Sequence, residues 1–258
     1  MAKAEELPEG AWEILRPLIP KAVKRKDGRG RPEHHSDRAV LNGVLWVLRT
    51  GAGWADMPER FPSGSTCYRR FSRWVRSGAL RKMLEHLARV GKLNLAECFI
   101  DGTFVVAKKG ARQSGTDQAG QGTKLMVIAD AAGLPLAVHT AAATPHEVTL
   151  VEATLAEVVT VGRPRRLIGD RAYDSDPLDQ RLRAQSIELI APHKHNRKKP
   201  PTQDGRPLRR YKRRWKIERL FAWLNKFQRI ITRRERCAVR FTALVHLALA
   251  LILLRRYL

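Results

Sequence analysis

Three acidic residues carry the chemistry that this sequence could perform. Asp101 closes the apolar run "AECFID", Asp170 closes "PRRLIGD", and Glu218 lies in "RRWKIERLFAWLNKF". They stand 69 and 48 residues apart, so only a fold could gather them. Unpaired carboxylates brought into one small volume repel each other. A divalent cation removes that problem, because Mg²⁺ and Mn²⁺ take hard oxygen ligands and leave positions open for water and phosphate. Two such ions can activate an attacking oxygen and stabilise a leaving one. Each acid also has a plainer alternative. Asp101 could be a strand-end residue, Asp170 a turn acid paired with Arg171, and Glu218 a salt-bridged helix residue. Asp130, at the end of "LMVIAD", is a rival ligand, although its "DAAG" context favours a hairpin role.

The surroundings of these acids are basic. The chain has 258 residues with 49 Lys and Arg against 25 Asp and Glu, a formal net charge of +24. Such an excess favours a polyanionic partner, most simply nucleic acid, without specifying which one. From His193 to Arg236 there are 17 Lys or Arg and only three acids, one of them Glu218. A binding module needs the positive surround but gains nothing from the acidic centre.

The elements that must position these residues follow from periodicity. "GAWEILRPLIP" reads as a short helix with Trp12, Leu15 and Leu18 or Ile19 on one face. A basic arm, "KAVKRKDGRGRPEHH", follows, with Arg29 and Arg31 as candidate phosphate contacts. The second helix, "SDRAVLNGVLWVLRTG", has Ser36 or Asp37 as its cap and Gly51 as its stop. The third, from Thr66 to Arg89, buries Tyr68, Phe71, Trp74 and Val75. It exposes Arg69, Arg70, Arg73 and Arg76, as a helix-turn-helix reader would. A helical unit over residues 1–92 is expected.

Beyond Leu93 the period becomes that of strands. One strand ends at Asp101, a hairpin joins "KLMVIAD" to "LPLAVHTAA", and two short strands, "PRRLIGD" and "SIELIAP", follow. Helices come between them. One is capped by Thr144 and one by Asp176, with Pro177 at its first position. A long helix from Tyr211 to Ile231 and an apolar terminal helix complete a mixed α/β unit over 93–258. On the long helix Tyr211, Arg214, Glu218, Asn225 and Arg229 share a face. The loop from Lys108 to Lys124, with Lys109, is basic and glycine-rich. It lacks a nucleotide-binding spacing, so no nucleotide cofactor is expected.

Cys67, Cys98 and Cys237 form no framework, which suits a reducing cytoplasm. No signal-peptide core is visible, and "ALVHLALALILL" is too short for a membrane span. His193 and His195 have no partners at zinc spacing and read as phosphate contacts or plain loop.

"GRGRP", "LNGVLWVLRTGAGWADMPERF" and "STCYRRFSRWVRSG", followed by "FIDGTFV", "LIGDRAYDSD" and "RRWKIERLFAWLNKFQRI", together resemble the DDE transposases of the insertion-sequence IS5 group, within the IS4-like superfamily. The resemblance spans nearly the whole chain. It implies a ribonuclease H-like catalytic fold behind a small helix-turn-helix-like domain. It also implies an Asp101, Asp170 and Glu218 triad holding two Mg²⁺, with Mn²⁺ as a substitute. The implied activity is cleavage at terminal inverted repeats and transfer of the freed 3′-hydroxyl into target DNA. A homodimer in a synaptic complex on nucleoid DNA is implied as well. In the superfamily's helix signature Tyr211, Arg214 and Glu218 match. Asn225 stands where a lysine belongs, so Lys226 or Arg229 is expected to supply the cation. No large insertion separates Asp170 from Glu218.

Overall fold

The computed structural model describes residues 6–21, 34–108, 110–117, 120–203 and 205–256. Four helices come first: α1 (Glu9–Leu15), α2 (Asp37–Thr50), α3 (Gly64–Arg76) and α4 (Ala79–Val90). The Ser36 hydroxyl accepts from the Ala39 N–H at 3.2 Å, and Gly51 ends α2 in the left-handed conformation, as its sequence suggests. The third predicted helix is two. Gly78, at φ +69°, breaks it into α3 and α4, because that backbone turn strains any other L-residue. At the start of α3 a Cβ on Gly64 would lie 1.6 Å from the Trp54 carbonyl oxygen, so only glycine allows this approach.

The remaining strands are β1 (Cys98–Ala107), β2 (Gly115–Asp117), β3 (Gly120–Ala129), β4 (Pro135–Ala142), β5 (Arg166–Ile168), β6 (Glu188–Ile190) and β7 (Thr232–Arg233). The helices among them are α5 (Glu147–Ala156), α6 (Asp176–Ala184), α7 (Gly205–Leu208), α8 (Trp215–Leu224), α9 (Gln228–Ile231) and α10 (Ala238–Leu254). The central order is β4-β3-β1-β5-β6. β1, β3 and β4 are antiparallel, and β5 and β6 run parallel to β1. β2 extends the hairpin with β3, and β7 joins the far end of β1. This is the mixed sheet of a ribonuclease H-like fold.

Period-two alternation divides the sheet's side chains between two apolar layers. Phe99, Leu125, Val127, Ile168 and Ile190 face one layer, which α1 to α4, α8 and α10 complete. Cys98, Ile100, Met126, Ile128, Leu167 and Leu189 face the other, under α5 and α6. The first layer is continuous from Leu7 to Leu254, so the front helices share a core with the terminal helix. α10 is buried on nearly every side, which explains its unbroken apolar sequence.

Three helix predictions need correction. α5 starts at Glu147 with His146 at its cap position, and the Thr144 hydroxyl points instead to the Thr116 carbonyl. α6 is preceded by Ser175, and Asp176 is drawn into ion pairs rather than capping. The long helix from Tyr211 is a 3-10 turn (Arg209–Arg213), then α8, then a break at Asn225–Phe227, then α9. At and after this break Phe227 and Ile230 lie in the core, with the Phe227 N–H donating to the Leu224 carbonyl at 2.9 Å and the Ile230 N–H to the Phe227 carbonyl at 2.8 Å.

Candidate active site

Strand register brings the two aspartates together. β1 pairs with β5 as Cys98 with Leu167 and Phe99 with Ile168. That pairing has the same 69-residue offset that separates Asp101 from Asp170, which stand two residues beyond the last pair, and both carboxylates act on the Arg214 guanidinium. Neither aspartate ends a strand as expected. β1 runs on past Asp101 because β3 pairs with it as far as Val106. β5 stops at Ile168, and Asp170 instead opens a 3-10 turn, Arg171–Tyr173, accepting from the Ala172 N–H at 2.8 Å.

Parity then decides which helix can reach Asp101. It shares the parity of Phe99, whose side chain faces the α8 layer. From that side Arg214, just before α8, donates to Asp101 Oδ2 at 2.5 Å. The same guanidinium lies 3.7 Å from Glu218 Oε1, one helical turn on. Glu218 is 60% exposed, whereas the Asp101 side chain is 15% exposed. Burial pushes the Asp101 carboxyl up to about 6, against the opposing pull of Arg214 and of the Gly102 N–H. Asp101, Asp170 and Tyr211 all help to hold the Arg214 guanidinium charged, although burial opposes them.

A fourth carboxylate, Glu147, enters from the opposite layer. A Cβ on Gly102 would stand 2.6 Å from its carboxyl carbon, so glycine there is what admits it. The Tyr173 hydroxyl donates to Glu147 Oε2 at 2.9 Å. Tyr173 follows Asp170 by three residues and Gly102 follows Asp101 by one, so Glu147 bonds the turn after Asp170 while packing against β1 beside Asp101. Burial, then the Glu147 charge, raises the Tyr173 phenol well above its ordinary range, which keeps it a donor. Sequence reasoning missed Glu147; "TPHEVTL" shows only an acid in a first helical turn.

Hard carboxylate oxygens are the right donors for a divalent cation. Among the described residues no three His, Cys, Asp or Glu side chains converge closely enough to hold a metal as they stand. The Arg214 guanidinium, bridging Asp101 and Glu218, stands in for a cation there. The carboxylate oxygens suit a hard divalent cation in chemistry, and Arg214 is the positive group now beside Asp101 and Glu218.

The predicted DNA-contacting residues fare unevenly. Arg69 on α3, Lys108 after β1 and Lys226 after α8 are exposed, and Arg73 is partly so. Arg70 is buried. It donates to Asp37 at 2.5 Å and to the His35 carbonyl at 2.9 Å, holding α3 to the start of α2, and so cannot reach a phosphate. Arg229 is buried as well, paired with Glu235 at 2.8 Å and donating to the carbonyls of Gly51 and Ala52. That removes it as the substitute for the lysine missing at Asn225. Lys124 is half-buried and donates to the Pro145 carbonyl at 2.7 Å, and Tyr211 is half-buried beside Arg214. Arg29, Arg31 and Lys109 lie outside the described residues. Asp130 is no rival ligand. It is buried and accepts from the N–H groups of Asn94, Ala132 and Leu134, fixing the β3–β4 turn.

Known proteins agree with this architecture. Residues 96–254 match the family model described as "Transposase DDE domain", and residues 7–84 match "Putative transposase of IS4/5 family". The "Putative transposase for insertion sequence element IS6501" of Brucella ovis is 36% identical over 136 residues, covering 52% of this chain and 98% of that protein. The "Putative transposase for insertion sequence element IS402" of Burkholderia cepacia is 32% identical over 145 residues, 53% of this chain and 65% of that one. Among solved structures, a piggyBac transposase in a synaptic complex with hairpin DNA superposes with a TM-score of 0.55. It covers 93% of this chain and 69% of its own at 10% identity, a likeness of fold. Among the described residues no helix is long and apolar enough to cross a membrane.

Proposed function

The chain belongs to the DDE transposase family, enzymes that act on DNA, and on that premise we propose that Asp101, Asp170 and Glu218 are its acidic triad. The activity is cleavage of DNA at the terminal inverted repeats of an insertion sequence, followed by transfer of the freed 3′-hydroxyl into target DNA. One observation supports the reading: the last β1–β5 pair, Phe99 with Ile168, stands two residues before Asp101 and Asp170, and Arg214 reaches Asp101 from the helix that carries Glu218.

Asp101, Asp170 and Glu218 would hold divalent Mg²⁺, or Mn²⁺ in its place. When bound, a pair of such ions activates the attacking oxygen and stabilises the leaving one. The protein's own part is to keep the carboxylates ready. Arg214 offsets the charge of Asp101 and Glu218, and its guanidinium would be suited to hold a phosphate there. Tyr173 and Glu147 hold the turn after Asp170 against β1 at Gly102. Exposed Arg69 and Lys226, with Lys108, place the duplex through its backbone. The helical unit over 1–92 would bind the element's end, the unit over 93–258 would cut it, and two protomers would pair two ends.

Purified protein incubated with an end-bearing duplex should cut only when Mg²⁺ or Mn²⁺ is present. Asp170→Asn should bind that duplex and leave it intact. Cutting by a folded Asp170→Asn protein would refute the triad, and metal-independent or absent cutting by the wild type would refute the enzyme.

A further inference from the structure

The acidic run after Asp170 does not all face the active site. Asp174, only 6% exposed in its side chain, accepts from three groups of one loop: His193 Nδ1 at 3.0 Å, the Lys194 N–H at 2.8 Å and Arg197 at 3.0 Å. Asp176 takes the other arm of Arg197 at 2.8 Å and stands 3.4 Å from Lys199 Nζ. Arg197 donates again to the Pro200 carbonyl at 3.1 Å. His193 Nε2 accepts from the Thr202 N–H at 3.3 Å. The stretch from His193 to Thr202, which leaves the end of β6, is thus fastened at both ends and in the middle.

This fastening holds a row of positive charge in place. Lys194 and Lys198 are exposed, and among the described residues neither pairs with an acid. His195 touches Arg171, the residue after Asp170. The loop also leaves the sheet at the same edge as the aspartates, since Ile190 pairs with Ile168. An ordinary solvated lysine loop would need no buried aspartate accepting three bonds. A loop that must present its charges without first ordering itself would gain from one.

We propose that residues 193–199 form a pre-ordered clamp for the phosphodiester backbone of duplex DNA, on the Asp170 side of the reaction centre. The inference rests on the reading of this chain as a DNA strand transferase. Its contacts go to phosphates, so it positions the duplex without reading sequence. Asp174 and Asp176 act on DNA only through the loop they hold, which makes them positioning residues.

Salt titrations with a labelled duplex of mixed sequence, read by fluorescence anisotropy, test the clamp. Lys194→Gln/Lys198→Gln should flatten the slope of log K against log salt by about 2, since each lost phosphate contact removes ~0.9. Affinity should fall about tenfold or more at physiological salt, equally for unrelated sequences. Asp176→Asn gives the sharper test. It makes the protein more positive, so bulk electrostatics alone would tighten binding, whereas an unfastened loop should weaken it several-fold. Melting curves confirm that both variants are folded. An unchanged slope in the double variant, tighter binding by Asp176→Asn, or losses confined to an RNA duplex would each overturn the clamp. Mg²⁺-dependent cutting by the wild type is scored separately. Its absence would sink the catalytic reading, and its presence with unchanged slopes would sink the clamp alone.

Discussion

Replacing Asp101 by Asn should change how the stability of the metal-free protein depends on pH. Burial, opposed by Arg214 and the Gly102 N–H, raises the Asp101 carboxyl from its ordinary 3.8 to about 6. Between those values the folded protein keeps a proton that the unfolded chain has lost. The folded state therefore binds more protons, and stability falls as pH rises through this window. A rise from 3.8 to about 6 corresponds to ~3 kcal/mol. In the Asn variant that contribution is gone. The pull of Arg214 on the ionised carboxylate is already contained in that raised value, so it adds no separate pH dependence. The difference in unfolding free energy, wild type minus variant, should thus be largest near pH 4 and shrink by about 3 kcal/mol by pH 7. Urea unfolding in chelator at several pH values measures it. A difference that is flat, or that grows toward neutral pH, would refute a desolvated carboxyl at this position.

Three further outcomes follow from the same geometry. Arg229→Met should destabilise the fold by about 3–5 kcal/mol by leaving Glu235 buried without its partner, a loss visible in denaturant unfolding and not as a changed salt slope of DNA binding. Tyr173→Phe should cost about 1–2 kcal/mol by stripping Glu147 of its donor, and should weaken Mn²⁺ binding measured by calorimetry, while full metal affinity would show that this bond does not set the site. Burial lowers the His246 imidazole, on α10, from 6.5 to about 4, so its stabilising contribution is present above 6.5 and lost as pH falls toward 4. His246→Gln should remove that acid loss, and an unchanged acid limb in thermal melts would contradict it.

Much of this was legible in the residues because local patterns and tertiary demands agree. Ser36 and Gly51 delimit α2 by backbone chemistry that no packing opposes. The order of strands and helices announced the mixed sheet. The three acids could be named from their positions, but their meeting depends on the β1–β5 register, which periodicity does not state. Arg70 and Arg229 were misplaced for one reason. A helical wheel shows a direction, while burial depends on what other elements bring to that side: Asp37 for one, Glu235 and the Gly51 carbonyl for the other. The break after Asn225 was hidden because residues 211–231 hold no Gly or Pro, and Leu220, Leu224 and Phe227 fit the apolar face of one continuous helix. Glu147 was invisible because it reaches the site from the far layer, through the gap at Gly102.

Crystals of the protein with a pre-cut end duplex and Mn²⁺ offer the most direct measurement, since manganese can be located by its anomalous scattering. The account predicts a manganese peak bound by both Asp101 and Asp170, with the Arg214 guanidinium moved off Asp101. Manganese bound elsewhere, with Arg214 still seated between Asp101 and Glu218 beside bound DNA, would contradict it.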